Sequence, residues 1–285
     1  MKYLIVTADD FGLADEVNEA VECAHVEGIL TSASLMVGAP AAARAVELAR
    51  RLPRLAVGLH LALVDADPVL TPSAIPDLVD SRGRFRANMA VSGAAMFFLP
   101  HVRRQMRAEI GAQFEAFRAT GLKLDHVTAH KHFHLHPTIL SALIERAKDF
   151  GAPAVRAPVE PQGVLARVVG AQPCLNACAS APLARIQRAR LRRAGVKTPD
   201  QVFGLAWSGA MTSSRLGGLI AHLPEGVTEI YTHPAMASGF AGAAPGYRYE
   251  EELSALTSPE LRRQIDEAGI LSGGFSDAVN FSAGA

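Results

Sequence analysis

In the stretch Tyr3-Leu4-Ile5-Val6-Thr7-Ala8-Asp9-Asp10-Phe11-Gly12, a short apolar run ends in two carboxylates and a turn. Residues 2–8 predict a buried β-strand, and apolar residues at helical spacing between residues 13 and 28 predict a helix directly after it. The same succession of strand and helix recurs along the chain. It predicts a mainly parallel sheet covered by helices.

The chain as a whole predicts an α/β barrel. Further strands are expected at residues 34–37, 56–63, 124–130, 154–157, 228–232 and 269–274, and further helices at 41–51, 102–120, 138–150 and 258–268. Because polar residues suited to chemistry follow several strands, we favour a distorted (β/α) TIM-like barrel over an open sheet. The sequence has no Gly-x-Gly-x-x-Gly or phosphate-loop motif, which argues against a nucleotide-binding sheet. We predict one domain over residues 1–285, with insertions near 85–101 and 159–197.

Composition excludes some classes of partner. The 285-residue chain is 49% apolar with a formal net charge of zero, so no general attraction to nucleic acid or anionic membranes is expected. Its three cysteines, Cys23, Cys174 and Cys178, are too few for a disulfide framework and indicate a reducing compartment. No signal peptide is recognisable, and no run reaches the roughly 18 apolar residues of a membrane span. We expect a cytoplasmic protein. The basic run at residues 185–193 leaves peripheral contact with the inner membrane open.

The first chemical element is the pair Asp9-Asp10 at the end of the first strand. Adjacent strand residues face opposite ways, but where the turn begins both can bend toward one site. One carboxylate could then bind a cation while the other takes a proton from water. The alternative is that the pair caps the following helix.

Histidines at two other strands supply the second element. His60 shares its strand face with the small residues Gly58 and Ala62, which leaves room beside its imidazole for a ligand; the alternative is an ordinary core histidine. Downstream, every second residue from 126 to 136 is a histidine, with one threonine among them. In an extended chain these side chains point to the same face: His126, Thr128, His130, His132, His134 and His136. Three protein ligands plus water is the usual catalytic metal arrangement, so the remaining histidines would orient ligands or contact substrate.

Two further strand ends complete the candidate site. His233 follows Ile230-Tyr231-Thr232, and Arg156 lies in Val155-Arg156-Ala157-Pro158. For Arg156 the alternative is structural pairing with a nearby carboxylate. Carboxylates and imidazoles at the ends of separate strands together predict a metal-dependent hydrolase.

These segments resemble the YdjC-like carbohydrate deacetylases. Beyond residues 7–12, the similar segments are 28–37, 58–61, 130–137 and 232–234, in family order. The resemblance implies a distorted (β/α) barrel that removes an acetyl group from an N-acetylated sugar. It also implies that one divalent metal ion, zinc or magnesium, is bound by Asp10, His60 and His130. Asp9 would be the general base and His233 the acid.

Thr128 departs from the family pattern, which usually reads His-x-Asp-x-His ahead of this point. Here the residues are His126-Val127-Thr128-Ala129-His130, so a threonine replaces the usual aspartate. The contact that residue 128 makes with a metal ligand or with the sugar is therefore altered. We assign substrate contacts to four residues: Thr128, His132, His134 and Arg156.

The substrate carrier is suggested by residues 124–137, which are most similar to the branch of the family associated with hopanoid biosynthesis. That likeness implies an N-acetylglucosaminyl lipid with a bacteriohopanetetrol tail, and the apolar segment 89–99 suits such an amphiphile. The alternatives are a deacetylase of soluble chito-oligosaccharides, a metal-dependent phosphoesterase or other amidohydrolase, and a non-catalytic metal- or glycolipid-binding protein. A homodimer also stays open.

Overall fold

A curled sheet of parallel strands forms the centre of the structure, a computed structural model that describes residues 1–152, 154–168 and 175–278, apart from the side chains of 175–179. The strands are β1 (Lys2–Phe11), β2 (Ser32–Leu35), β3 (Ala56–Leu61), β4 (Val127–Ala129), β5 (Gln201–Phe203), β6 (Gly226–Thr232) and β7 (Leu271–Ser272). Their order is β4-β3-β2-β1-β6-β5, and β7 pairs with the start of β1. Each of these pairings is parallel.

The sheet curls into a partial barrel, and residues 154–159 lie between its two edges. The backbone N–H of Arg156 donates to the carbonyl of Val127 in β4, and the N–H of Val202 in β5 donates to the carbonyl of Val159, each at 3.0 Å. The predicted distorted (β/α) TIM-like barrel with mainly parallel strands is thus confirmed. The strand expected at residues 154–157 is reduced to isolated bridges, and the three-residue β5 was not predicted.

Helices cover the outer face of the sheet. They are α1 (Asp15–Val26), α2 (Ala42–Arg51), α3 (Met89–Phe98), α4 (Pro100–Ala119), α5 (Pro137–Asp149), α6 (Gln162–Leu165), α7 (Leu175–Arg193), α8 (Ser213–Ala221), α9 (Tyr249–Leu256) and α10 (Pro259–Glu267). In β1 the even-numbered residues Leu4, Val6 and Ala8 face this layer and belong to the main apolar cluster, together with Val17 and Val21 of α1. Helices α8 and α9 were not predicted, since both are short and α8 contains two glycines.

The odd-numbered residues of β1 point into the barrel. A small apolar cluster that includes Tyr3, Ile5 and Phe275 closes its lower end, where the strands begin. Above it the interior turns polar. The ring of His126 stacks on Phe275, with centroids 4.2 Å apart. A Cβ on Gly58 would lie 2.5 Å from the His126 ring, so the space that Gly58 leaves is filled by His126. Gly58 therefore does not provide the room that was expected beside His60.

The two predicted insertions contain helices. The first holds α3 and the start of α4; the second holds α6 and α7, and the basic run at 185–193 is the end of α7. Cys174 lies outside the described residues, and so does the side chain of Cys178. Within the described chain, none of the helices combines the length and apolar character needed to cross a membrane.

Candidate metal and active site

The site begins where β1 ends. The pairing of β1 with β2 is irregular between Ala8 and Phe11, and Asp10 has a φ of 61°, in the left-handed region that aspartate tolerates better than most residues. This break in the strand alternation brings both Asp9 and Asp10 to the wall of one cavity. Neither side chain caps α1, because its N-cap residue is Ala14, which makes no side-chain cap bond.

Two imidazoles converge on the carboxylate of Asp10. His60 Nε2 lies 3.3 Å and His130 Nδ1 lies 3.0 Å from the same oxygen, Oδ1. One ligand atom from each of the three residues lies within 4.8 Å of the other two. Burial alone would raise the pKa of Asp10, but His130 and His60 lower it well below its ordinary value. One carboxylate oxygen and two imidazole nitrogens in this arrangement fit a single divalent cation such as zinc.

His130 reaches the site through a turn that the sequence did not predict. Strand β4 stops at Ala129, and residues His130–Leu135 form a 3₁₀ turn in which Lys131 and His132 have φ values of 51° and 52°. The prediction that the histidines keep one strand parity is therefore wrong after Ala129, because two consecutive left-handed residues redirect the chain. His130 and His132 line the cavity, whereas His134 and His136 do not.

His134 is buried behind the site. Its Nε2 donates to the carbonyl of Arg156 at 2.9 Å, and burial lowers its pKa to about 4. His136 lies farther out, where its ring contacts Phe97 and Phe133 edge-on. His134 therefore does not line the cavity, where the substrate contact assigned to it would be made.

Asp9 is held by a buried arginine. The guanidinium of Arg156 donates to both oxygens of Asp9, from Nη1 to Oδ2 at 2.5 Å and from Nη2 to Oδ1 at 3.0 Å. Its Nε donates to Glu229 at 2.9 Å, and the group lies 4.6 Å over the Tyr231 ring. Burial would raise the pKa of Asp9, but Arg156 and His60 lower it below its usual range. Because Arg156 is fully buried and lies behind the wall, it matches the structural alternative weighed above rather than the assigned substrate contact.

Thr128 also lies behind the wall. Its Oγ1 is 2.7 Å from His60 Nδ1, and the residue is fully buried. It contacts a candidate metal ligand, and the direct contact with a sugar that was assigned to it is not present in the cavity lining.

The opposite wall is aromatic and carries two imidazoles. His132 Nε2 lies 2.9 Å from the hydroxyl of Tyr231, and His233 meets the rings of Tyr231 and Tyr247 edge-on at 5.8 and 5.0 Å. The backbone N–H of His233 donates to Glu252. The Nδ1 atoms of His132 and His233 are buried and have no hydrogen-bond partner among the described residues. Both residues line the cavity.

These walls enclose a cavity of about 250 Å³ at the carboxyl ends of the strands, the end at which barrel enzymes carry their active sites. A larger groove, about 770 Å³, lies at the opposite end of the barrel. It contains none of the predicted site residues, so the smaller cavity is the candidate active site.

The sequence analysis did not identify Tyr231, Tyr247 and Tyr249, which line the cavity, or Glu229 and Glu252, which contact Arg156 and the backbone of His233. A signal existed for Glu229, a carboxylate inside the apolar strand Val227 to Tyr231, where an unpaired charge would be costly. Tyr247 and Glu252 lie in a loop and a helix far from any motif, and only the folded chain brings Tyr247 to the cavity and Glu252 to the backbone of His233.

The chain is similar to proteins of one family along most of its length. The model of the family described as YdjC-like protein matches residues 3–267. A carbohydrate deacetylase of Geobacillus stearothermophilus is 30% identical over 94% of this chain and 95% of its own. A human carbohydrate deacetylase is 31% identical over 94% of this chain and 88% of its own. A proposed cellobiose-phosphate cleavage protein of Enterococcus faecalis, 26% identical, superposes with a TM-score of 0.73 over 97% of this chain and 98% of its own.

Proposed function

Because this chain belongs to the YdjC-like protein family, we propose that it is a metal-dependent carbohydrate deacetylase. It hydrolyses the N-acetyl group of an N-acetylglucosamine-type sugar and releases acetate and the free amine. The observation that carries the proposal is the convergence of Asp10, His60 and His130 beside Asp9 and His233 in one cavity. The names of relatives that span nearly the whole chain support it.

The cation site supplies one part of the chemistry. Asp10, His60 and His130 would hold one divalent ion, zinc or magnesium, which when bound supplies Lewis acidity toward the amide oxygen and toward water. The other steps belong to side chains of this chain.

Asp9 accepts the proton of the attacking water. Arg156 keeps its carboxylate ionised and fixes its direction, so it is ready to act near neutral pH. On the other side of the cavity, protonated His233 donates to the departing nitrogen, because an amine anion leaves too poorly unaided. Glu252 holds the backbone of His233 in place.

The aromatic wall suits a sugar. Tyr231, Tyr247 and Tyr249 line the cavity beside His132 and His233, so apolar ring faces alternate with polar groups. Such surfaces accept the mixed apolar and hydroxylated faces of a pyranose ring. His132, whose pKa burial lowers well below the ordinary value, would meet the sugar as a neutral imidazole.

We further propose that the sugar is carried by a hopanoid glycolipid, N-acetylglucosaminyl bacteriohopanetetrol. An exposed apolar surface near the cavity supports this: Val91, Phe97, Phe98 and Leu99, at and just beyond α3, are 57, 45, 73 and 43% exposed. Phe97 contacts His136, which directly follows the turn that lines the cavity. A lipid tail, or the membrane surface that holds it, could lie against this surface. The protein would then act in the cytoplasm, at the face of the inner membrane.

Mass spectrometry of two substrates tests the proposal. Zinc-loaded protein is incubated with N-acetylglucosaminyl bacteriohopanetetrol or with chitobiose, and the loss of acetyl groups is followed. We expect faster loss from the glycolipid. Faster loss from chitobiose would favour a deacetylase of soluble chito-oligosaccharides. No loss from either would leave a non-catalytic metal- or glycolipid-binding protein as the better interpretation.

A further inference from the structure

His60 and Thr128 are direct neighbours across two strands. They are paired in the parallel register of β3 and β4, so their side chains stand on the same face. His60 is 2% exposed and Thr128 is 0% exposed, and Thr128 Oγ1 lies 2.7 Å from His60 Nδ1. At that length in a dry environment, the contact is a well-formed hydrogen bond.

The two ring nitrogens of His60 face different groups. Nε2 points toward Asp10 Oδ1 at 3.3 Å, on the side where a cation would be bound. A neutral imidazole can offer a lone pair there only if its proton is on Nδ1. That proton then needs a buried acceptor on the opposite side of the ring.

Two groups compete to accept it. Thr128 Oγ1 is at 2.7 Å, whereas Asp9 Oδ1 is at 3.8 Å and already accepts from Arg156. The threonine hydroxyl is therefore the acceptor. A hydroxyl can also donate, so without a cation it can turn and donate to Nδ1 while Nε2–H donates to Asp10.

We propose that Thr128 is a positioning residue that selects the tautomer of His60. Its hydroxyl holds the proton on Nδ1, presents Nε2 to the cation and keeps the Nδ1 proton away from Asp9. Asp9, whose oxygens accept only from Arg156 within the described part of the chain, then keeps lone pairs with which to take a proton from water. The inference rests on the proposed metal site, but not on the identity of the sugar or on turnover.

Zinc affinity separates this role from packing. Thr128→Val keeps the side-chain shape and removes the hydroxyl, whereas Thr128→Ser keeps the hydroxyl. Competition with a chromogenic chelator should show zinc bound about 10- to 100-fold more weakly by the valine variant, and within about threefold of the parent by the serine variant. Equal affinity of the valine and parent proteins would overturn the proposal, as would a serine variant as weak as the valine one.

A spectroscopic readout tests the tautomer itself. In zinc-loaded protein with ¹⁵N-labelled histidine, the His60 signals should show a protonated Nδ1 and a metal-bound Nε2; the reverse pattern contradicts the proposal. Circular dichroism melts show whether each variant folds. If the Thr128→Val protein does not fold, Thr128→Ala takes its place, with the same expected loss of zinc affinity. A protein that shows these zinc affinities yet releases no acetate would overturn the deacetylase proposal alone.

Discussion

A single buried guanidinium organises the carboxylates at the mouth of the barrel. Arg156 bonds both oxygens of Asp9 and also bonds Glu229. Buried charges persist in proteins only where they are paired, so each carboxylate stabilises the arginine that orients the other. As a consequence Asp9 has a fixed direction, which a proton acceptor for one water molecule requires.

The first prediction concerns Asp9. Asp9→Asn should lower kcat for deacetylation by about 10²- to 10⁴-fold, because an amide cannot accept the proton of water. Zinc affinity should stay within about threefold, because Asp9 is not one of the three residues that could hold the ion. Acetate release and chelator competition on the same preparation measure both quantities.

The exposed Asp149→Asn serves as the matched control for that substitution, since Asp149 lies on α5 and its nearest charged partner is Arg146. It should leave kcat unchanged. Full turnover by the Asp9 variant would exclude Asp9 as the base. Loss of zinc together with turnover would instead move Asp9 into the group of metal ligands.

At the level of single residues, the sequence indicated which side chains belong to the site better than it indicated what each of them contacts. Carboxylates and imidazoles after separate strands indicated a metal site, the family resemblance assigned Asp10, His60 and His130 to it, and the structure brings these three residues together. Thr128 and Arg156 were assigned to the sugar, yet both lie behind the cavity wall. Strand register decides which residue stands beside which, and one sequence does not reveal register.

At the level of elements, the segment from residue 124 to 137 shows where pattern reasoning stops. Alternation predicts a common face only for an extended chain, and β4 ends after three residues. The left-handed Lys131 and His132 cannot be recognised from their residue types, because neither is glycine, asparagine or aspartate. The turn is nonetheless what brings His132 to the cavity and sends His136 toward α3.

Asp125, just before β4, bonds the last described helical turn. We predict that acid weakens this link and lowers the folding stability of the protein. Its carboxylate accepts from the backbone N–H groups of Phe275 and Ser276 at 3.0 and 2.9 Å. Burial would raise its pKa, but His126 and Ser276 lower it to about 2. Because the folded pKa is below the unfolded value, the stabilisation is complete above about pH 4 and is lost as pH falls toward 2.

Urea unfolding at several pH values measures this contribution. The shift corresponds to about 2 kcal/mol of unfolding free energy at neutral pH. Asp125→Asn should lose about that amount at pH 7 and differ less from the parent near pH 3. A constant difference between the two proteins across this range would contradict the linkage. Asp149→Asn, with its exposed carboxylate, is again the control.

The exposed end of α3 carries the third prediction, which concerns the membrane. Phe98 is 73% exposed, so Phe98→Ser should change folding stability little. If this surface enters an anionic bilayer, removal of the ring should weaken sedimentation with phosphatidylglycerol vesicles about tenfold, since burial of a phenylalanine contributes about 1.5–3 kcal/mol.

Leu271→Ser is the matched control for Phe98→Ser. Leu271 is 51% exposed, but it lies in β7, which pairs with the opposite end of β1. Its replacement should leave vesicle binding unchanged. Equal weakening by both variants would show non-specific adhesion, and no binding by the parent protein would exclude the membrane contact.

At the level of the whole molecule, the barrel is built in layers. An apolar cluster fills the end where the strands begin, a polar layer with His126 and Glu229 lies above it, and the cavity opens at the carboxyl ends. Strand–helix alternation predicted the parallel sheet, and the polar residues that follow several strands favoured a barrel; the layering within the barrel was not predicted. The strand predicted at residues 154–157 is reduced to isolated bridges, and β5 was missed because it has only three residues, too few for a periodic apolar pattern.

The last prediction joins the metal to the stability of the whole chain. Since Asp10, His60 and His130 come from β1, β3 and the turn after β4, a cation bound by all three would link separate parts of the barrel. Dialysis against a chelator should abolish acetate release and lower the melting temperature, and zinc or magnesium should restore both. At 100 times its Kd, the ion should stabilise the fold by about 2.7 kcal/mol.

His60→Ala, melted with and without zinc, should show almost none of this stabilisation. An undiminished zinc-dependent shift in that variant would place the ion elsewhere, and full activity after complete metal removal, verified by elemental analysis, would exclude the metal from the reaction.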